Sequence, residues 1–158
     1  MRMTMSTHID ADPDTVFEAT TRFATAADFI GGIDKVEMLT DGPVGVGTRF
    51  RETRTFFGKT ATEVMEVTDF RPGESYTLGA ASNGCIYQTI VRCVPEDGGT
   101  RLEYDFSGEP QGLIGKLTAP LMALALGGTM RKCLAKDLED IKASVESGGD
   151  APESAALA

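Results

Sequence analysis

One segment constrains this chain more than any other: the stretch from Gln111 to Ser147, which follows a run of residues that read as sheet. Its second half places Met130, Leu134, Leu138, Ile141 and Val145 at intervals of four, four, three and four. That spacing predicts an α-helix with one apolar stripe, and it puts Arg131, Lys132, Lys136, Asp137, Glu139, Asp140 and Lys142 on the other sides. The first half, Leu113 to Leu126, is apolar nearly all the way round. A helix of this kind is expected to be clasped by the protein at its first half and lapped by solvent at its second. Pro120 and Gly127-Gly128 predict a bend or a division into two segments, because proline removes a backbone hydrogen bond and glycine has low helix propensity.

The upstream residues supply what such a helix would pack against. Met3 to Ile9 reads as a short strand, and Asp12-Pro13-Asp14 then signals a helix start. Asp12 is placed to cap free amides, Pro13 suits the first helical position and Asp14 suits the positive end of the dipole. Val16, Phe17 and Thr20 are expected to face inward, with a second short helix over Ala24 to Ile30 stopped by Gly31-Gly32. Val36 to Leu39 is a brief strand, and 41–47 is a glycine-rich loop.

From Thr48 the pattern becomes a β-hairpin. Phe57-Gly58-Lys59-Thr60 reads as a tight turn centred on Gly58 and Lys59, glycine first as in a type II′ turn. In that register Phe50 lies opposite Val67, Glu52 opposite Met65, Arg54 opposite Glu63 and Phe56 opposite Ala61. The phenylalanines, methionine and valine mark this face as inward, and they bring Glu52, Arg54 and Glu63 with them. A slip of one residue would put the same charges on the surface. Three further strands follow over Ser75–Ala80, Cys85–Val94 and Thr100–Ser107, the last pair joined through Pro95–Gly99. Leu102, Tyr104 and Phe106 are expected to point in, and Arg101, Glu103 and Asp105 out. The whole order is one strand, two short helices, about six strands and one long helix, which makes an α+β domain over residues 1–146, with 147–158 a disordered tail.

Buried charge is costly unless paired, so an inward carboxylate–guanidinium–carboxylate set points to a polar patch in a cavity. Glu52, Arg54 and Glu63 are therefore the candidates for acid–base work or for anchoring a ligand's hydroxyl or carboxylate. Phe50, Phe56, Met65, Tyr87, Tyr104, Leu117, Leu121 and Leu124 are the expected ligand-lining residues around them.

Several function classes are disfavoured. A net charge of −9 with no basic stripe argues against nucleic acid. The chain has one histidine, His8, so neither a serine–histidine triad nor a histidine-pair zinc site can be assembled, and no cysteine cluster has metal spacing. Gly42 to Gly47 lacks the lysine and helix entry of a phosphate loop. No metal and no cofactor are expected. Cys85 and Cys93 would stand roughly 26 Å apart along one strand, too far to bridge, so reduced thiols in a cytoplasmic protein are expected. No signal-peptide core follows Met1, and Leu113–Leu126 is too short and too interrupted by Lys116 and Pro120 for stable membrane insertion.

The element order, together with Ile9–Phe17, Val46-Gly-Thr-Arg-Phe50, Glu63–Pro72 and Leu138–Lys142, resembles the START-like helix-grip superfamily, in particular its bacterial polyketide cyclase/dehydrase and lipid-transport branch. The likeness spans residues 3 to 146. It implies a curved antiparallel seven-stranded sheet gripping the C-terminal helix, with an apolar cavity between them for a small hydrophobic molecule such as a lipid or polyketide. Where that family commonly carries a tryptophan near the third strand, this chain has Phe50 and no tryptophan at all. Three functional classes follow from the resemblance and the residues: a carrier or sensor of a small apolar ligand, a cyclase or dehydratase using Glu52, Arg54 and Glu63, and a co-chaperone-like interaction module. A monomer or homodimer fits each of them.

Overall fold

The computed structural model describes residues 1–148. Seven strands form one antiparallel sheet: β1 (Arg2–Ile9), β2 (Lys35–Met38), β3 (Arg49–Phe56), β4 (Lys59–Arg71), β5 (Ser75–Ser82), β6 (Cys85–Glu96) and β7 (Gly99–Pro110). Their spatial order is β1-β7-β6-β5-β4-β3-β2, so β1 and β2 are the edges and sequence neighbours from β2 to β7 pair as hairpins. Helix α1 (Pro13–Thr21) and a 3-10 helix (Phe23–Asp28) connect the two edges, and helix α2 (Gly112–Glu146) ends the described fold. Of the tail expected over 147–158, residues from 149 onward lie outside those described.

Helix α1 starts as its first residues require. The Asp12 side chain accepts from the Thr15 backbone N–H at 2.9 Å, Pro13 opens the helix, and Val16, Phe17 and Thr20 are buried. Asp12→Ala is expected to cost about 1 kcal/mol of stability, the usual loss for an N-cap, measurable by urea titration. The element expected over Ala24–Ile30 is the 3-10 helix instead, beginning one residue earlier and held by i→i+3 bonds such as Phe29 N–H to Ala26 O.

The β3–β4 hairpin keeps the predicted inward face but not the predicted turn. Phe57 and Gly58, not Gly58 and Lys59, occupy its centre, both with positive φ (50° and 76°), which is the geometry of a type I′ turn. The pairing consequently moves by two residues: Phe50 lies opposite Met65, Glu52 opposite Glu63 and Arg54 opposite Ala61. A two-residue shift preserves side-chain parity, so Phe50 and Val67 are still in the core. Two other hairpins use the same backbone, at Asn83-Gly84 and Asp97-Gly98. Those pairs are common type I′ formers, whereas an aromatic residue in the left-handed region is unusual, and a glycine-first rule therefore passes over Phe57. A register shift between Val67 and Asp69 marks a bulge in β4, a feature that bends and twists a strand.

The core lies on one face of the sheet. Ile9, Phe50, Val67, Tyr76, Val91 and Leu102 from the strands meet Val16 and Phe17 of α1, Phe23 of the 3-10 helix, and Leu138 and Ile141 of α2. Phe23 stacks on Phe50 with ring centroids 4.5 Å apart, and Phe17 meets Tyr76 and Phe70 edge-on. β7 alternates as expected, with Leu102, Tyr104 and Phe106 inward; Asp105 on the opposite face is nevertheless buried, because Arg2 of the edge strand lies over it with a bond of 2.7 Å.

Helix α2 departs from expectation in two ways. It is one unbroken helix of 35 residues, with Pro120 inside it and no interruption at Gly127-Gly128. Its packed half is the second one, where the stripe of Leu138 and Ile141 is buried, while its first half is exposed: Leu113 is 89% exposed, Leu117 83% and Leu124 84%. The helix therefore packs on the sheet through its C-terminal half and leaves the apolar side chains of its first half exposed. By length and composition alone α2 is long and apolar enough to cross a membrane, with an 18-residue window of mean hydropathy 1.4, none of it buried.

Candidate functional site

Between the inner face of the sheet and the second half of α2 lies a cavity in two adjoining compartments that share part of their walls. The inner one, of about 100 Å³, is walled by aromatic and aliphatic side chains including Phe23, Phe50, Tyr76, Leu78, Val91 and Tyr104. The outer one, of about 150 Å³, is bounded by Phe56, Glu63, Met65, Met130, Cys133 and neighbouring residues. Glu52, Arg54, Met65, Thr89, Leu134 and Asp137 border both.

Alternation along β3 puts Phe50, Glu52, Arg54 and Phe56 on one face, and burial of Phe50 orients the rest. Arg54 is the centre of the polar group. Its Nε donates to Glu52 Oε1 at 2.6 Å, and its Nη1 and Nη2 donate to the two oxygens of Asp137 at 3.1 and 2.7 Å. The fork-to-carboxylate contact is bidentate, the geometry that fixes a guanidinium most firmly. These side chains are 17% (Arg54), 10% (Glu52) and 5% (Asp137) exposed, so the triad is nearly dry. Gly32, after the 3-10 helix, lies against it: a Cβ there would stand 3.0 Å from Arg54 Nη1 and 3.4 Å from Asp137 Oδ1. The Gly31 N–H donates to Asp140 Oδ2 at 2.9 Å, which ties this loop to α2 directly over the ion pair.

The three contacts use three of the guanidinium's five N–H groups and leave two outside the triad. Burial raises the pKa of Glu52, outweighing the opposing pull of Arg54, and the charges of Asp137 and Glu63 push it the same way. Asp137 is also raised, by burial against the pull of Arg54. Burial opposes the charge on Arg54, but the two carboxylates outweigh it and hold the guanidinium firmly protonated. Burial raises both Tyr76 and Tyr104 of the inner compartment, and it pushes the thiol of the core residue Cys93 up to about 12, so none of these ionises near neutrality.

These directions give a pH prediction whose sign is not intuitive. A carboxyl whose folded pKa stands above its unfolded value binds its proton more tightly when folded. Its contribution is then fully favourable below the ordinary value of 4.5 and is lost as pH rises through the folded value. Glu52→Gln removes that dependence. The variant is expected to gain stability relative to the native chain as pH rises from about 4 to about 7, in urea titrations across that window. The native chain gaining instead would mean that pairing with Arg54 outweighs burial.

The residues expected to form the site divide clearly. Phe50, Glu52, Arg54, Phe56, Glu63, Met65 and Tyr104 border one compartment or both. Glu63 reaches the outer compartment but is not a partner of Arg54; it faces Glu52 across the hairpin and, among the described residues, makes no ion pair. Tyr87 stacks on Phe106 with centroids 5.9 Å apart and borders neither compartment. The Tyr76 hydroxyl donates to Thr20 O at 3.0 Å and is not free for a guest. Leu117, Leu121 and Leu124 are exposed on the first half of α2 and border neither compartment.

The partner that sequence reasoning misses is Asp137, which its charge assigns to the solvent side of the helix. Its position carries a signal, since it falls three residues after Leu134 and four before Ile141, within the spacing of the apolar stripe. Thr89 and Cys133 are likewise lining residues that the sequence does not single out, whereas Met130 and Leu134 line the cavity from the expected apolar stripe. His8 sits at the opposite end of the core, between Asp10 at 3.1 Å and Glu96 at 3.4 Å, and takes no part in the cavity. Among the described residues no group of three or more histidine, cysteine or acidic side chains is arranged to hold a metal.

The same architecture recurs in known proteins. A family model described as polyketide cyclase / dehydrase and lipid transport matches residues 1–146. No curated protein matches the chain in sequence. Among solved structures, TTHA0849 from Thermus thermophilus is 16% identical with a TM-score of 0.78, over 95% of this chain and 100% of that one. The Zhui aromatase/cyclase from Streptomyces sp. R1128 is 19% identical with a TM-score of 0.75, over 96% and 97%. Ara h 8.0201 is 16% identical with a TM-score of 0.65, over 93% and 98%. At such identities the likeness is one of fold, and it is the helix-grip fold in each case.

Proposed function

The chain belongs to the polyketide cyclase/dehydrase and lipid transport family, and we propose that it holds a small hydrophobic molecule in the cavity between sheet and helix, as a carrier or sensor. The observation that carries this reading is the contrast within one cavity: an aromatic and aliphatic inner wall beside a single fixed cation with spare donors. Apolar walls with a few convergent polar groups are the usual make-up of small-molecule sites. The guest inferred from this is largely apolar and bears one oxygen function for Arg54. The compartments are small beside the 300–1,000 Å³ or so of typical ligand pockets. A compact guest, or one ring of a longer molecule whose remainder leaves through the outer compartment, suits that size.

Native mass spectrometry of protein purified from its own host tests the proposal. A co-purifying small organic molecule, lost on unfolding, is expected; a bare chain that also fails to take up any apolar compound would contradict it.

A second reading has one specific observation in its favour. Glu52 is a buried carboxyl with a raised pKa next to a fixed guanidinium, which is the environment of a general acid facing an enolisable carbonyl held by Arg54. On this reading Glu52→Gln abolishes turnover of a poly-β-keto substrate while binding survives. Equal turnover by the variant would remove it.

A further inference from the structure

The exposed first half of α2 has no role in the cavity. Leu113, Ile114, Leu117, Leu121 and Leu124 are each at least 70% exposed. At about 100° per residue these five fall within one arc of roughly 100° on the helix surface, a continuous stripe about three turns long. Arg131 and Lys132, both exposed, fall at the two edges of that same arc, about two turns beyond its C-terminal end. Lys116 flanks it nearer the start.

The charge of this region is opposite to that of the protein. No aspartate or glutamate occurs between Glu109 and Asp137, whereas Lys116, Arg131, Lys132 and Lys136 all do, in a chain of net charge −9. A second exposed apolar group lies at the same end of the sheet. The start of α2 is tied to the β5–β6 turn by a bond of 2.7 Å from Gln111 N–H to Gly84 O. The β3–β4 turn must lie at that end too, because β3 and β5 run in the same direction. Its tip carries Phe57, 87% exposed, followed by Lys59.

We propose that this stripe docks the protein on an anionic lipid surface, with the helix lying in the interface rather than across it. An apolar helical face bordered by cations matches what such a surface offers, acyl chains below and phosphates around. Lysine and arginine at the borders can extend to the headgroup layer while their stems stay apolar. A second copy of the chain fits less well. An isologous contact along this stripe would set one cationic stretch against another, with no carboxylate between residues 110 and 136 of either copy to offset it. Crossing the bilayer is disfavoured because α2 continues unbroken into the half packed on the sheet at Leu138 and Ile141. This inference does not rest on what occupies the cavity.

Co-sedimentation with vesicles of equal parts phosphatidylglycerol and phosphatidylcholine tests it, using the full chain at low and at high ionic strength. The native chain is expected to sediment with these vesicles, to bind pure phosphatidylcholine far less, and to be released by salt. Leu117→Glu/Leu121→Glu is expected to abolish binding with its melting temperature unchanged, since both side chains are exposed and outside the cavity. Arg131→Gln/Lys132→Gln is expected to weaken binding to the anionic vesicles roughly 30-fold, about 5-fold for each charge removed. Failure of the native chain to sediment at low salt would overturn the proposal, as would undiminished binding by the Leu117→Glu/Leu121→Glu variant. So would a vesicle-independent dimer that this variant dissolves, which would make a second copy the occupant.

Discussion

Arg54→Met is expected to destabilise the fold by about 3–5 kcal/mol at pH 7, the cost of leaving buried carboxylates without their cation. Both partners, Glu52 and Asp137, are almost fully enclosed, and no other cation is bonded to either in the described structure. The loss is expected to be strongly dependent on pH. Burial already raises both carboxyls, and removing Arg54 takes away the pull that opposes it. At about pH 4 a larger share of these carboxyls is protonated than at pH 7, less uncompensated charge remains, and the penalty is expected to shrink. Urea titrations at the two pH values separate this from simple packing loss, which would be equal at both. A triple replacement, Glu52→Leu/Arg54→Met/Asp137→Leu, is the informative companion, because well-packed apolar substitutes for a buried ionic group are often neutral or stabilising. If the triple variant folds well but no longer takes up the guest, the triad serves binding and not stability.

Thr89→Trp is expected to reduce uptake of a cavity guest by at least about 100-fold, while costing only about 1–3 kcal/mol as overpacking. Thr89 borders both compartments, so an indole there fills the junction between them. The chain has no tryptophan of its own, so the new residue also supplies a single fluorophore that reports whether the variant buries it. Titration with the dye 8-anilino-1-naphthalenesulfonate distinguishes cavity from surface binding when it is run alongside the Leu117→Glu/Leu121→Glu variant. Cavity uptake is lost in Thr89→Trp and kept in the helix variant. The reverse pattern would locate the dye on the exposed stripe.

The fold is legible in the sequence wherever local chemistry and burial agree. Asp12-Pro13 starts α1, the clean alternation of Leu102, Tyr104 and Phe106 orients β7, and the Met130–Val145 stripe faces the sheet. The inward face of the β3–β4 hairpin is legible for the same reason, although its turn is not. Shifting a turn by one residue moves the pairing by two and leaves parity intact, so Phe50, Glu52 and Arg54 keep their side while their partners change. Phe57 in a left-handed conformation is what a glycine-first rule would not select.

Two features of α2 escape the sequence. Charge assigns Asp137 to water, and hydrophobicity assigns Leu117, Leu121 and Leu124 to the interior. The structure reverses both: Arg54 makes a buried aspartate tolerable, and the first half of the helix leaves its leucines exposed. Composition carries no information about the length of the surface a helix packs against, nor about a counter-charge eighty-three residues away in sequence. The helix-grip architecture also follows from membership of the family; the triad on β3 and α2 is particular to the residues of this chain.

Methyl-resolved NMR during titration with 8-anilino-1-naphthalenesulfonate tests the central claim most directly. The account predicts progressive shifts at Met65, Leu78, Met130 and Leu134, which border the cavity, and their disappearance in Thr89→Trp. Shifts confined to Leu113, Leu117 and Leu124, with the cavity methyls unmoved at saturation, would contradict it.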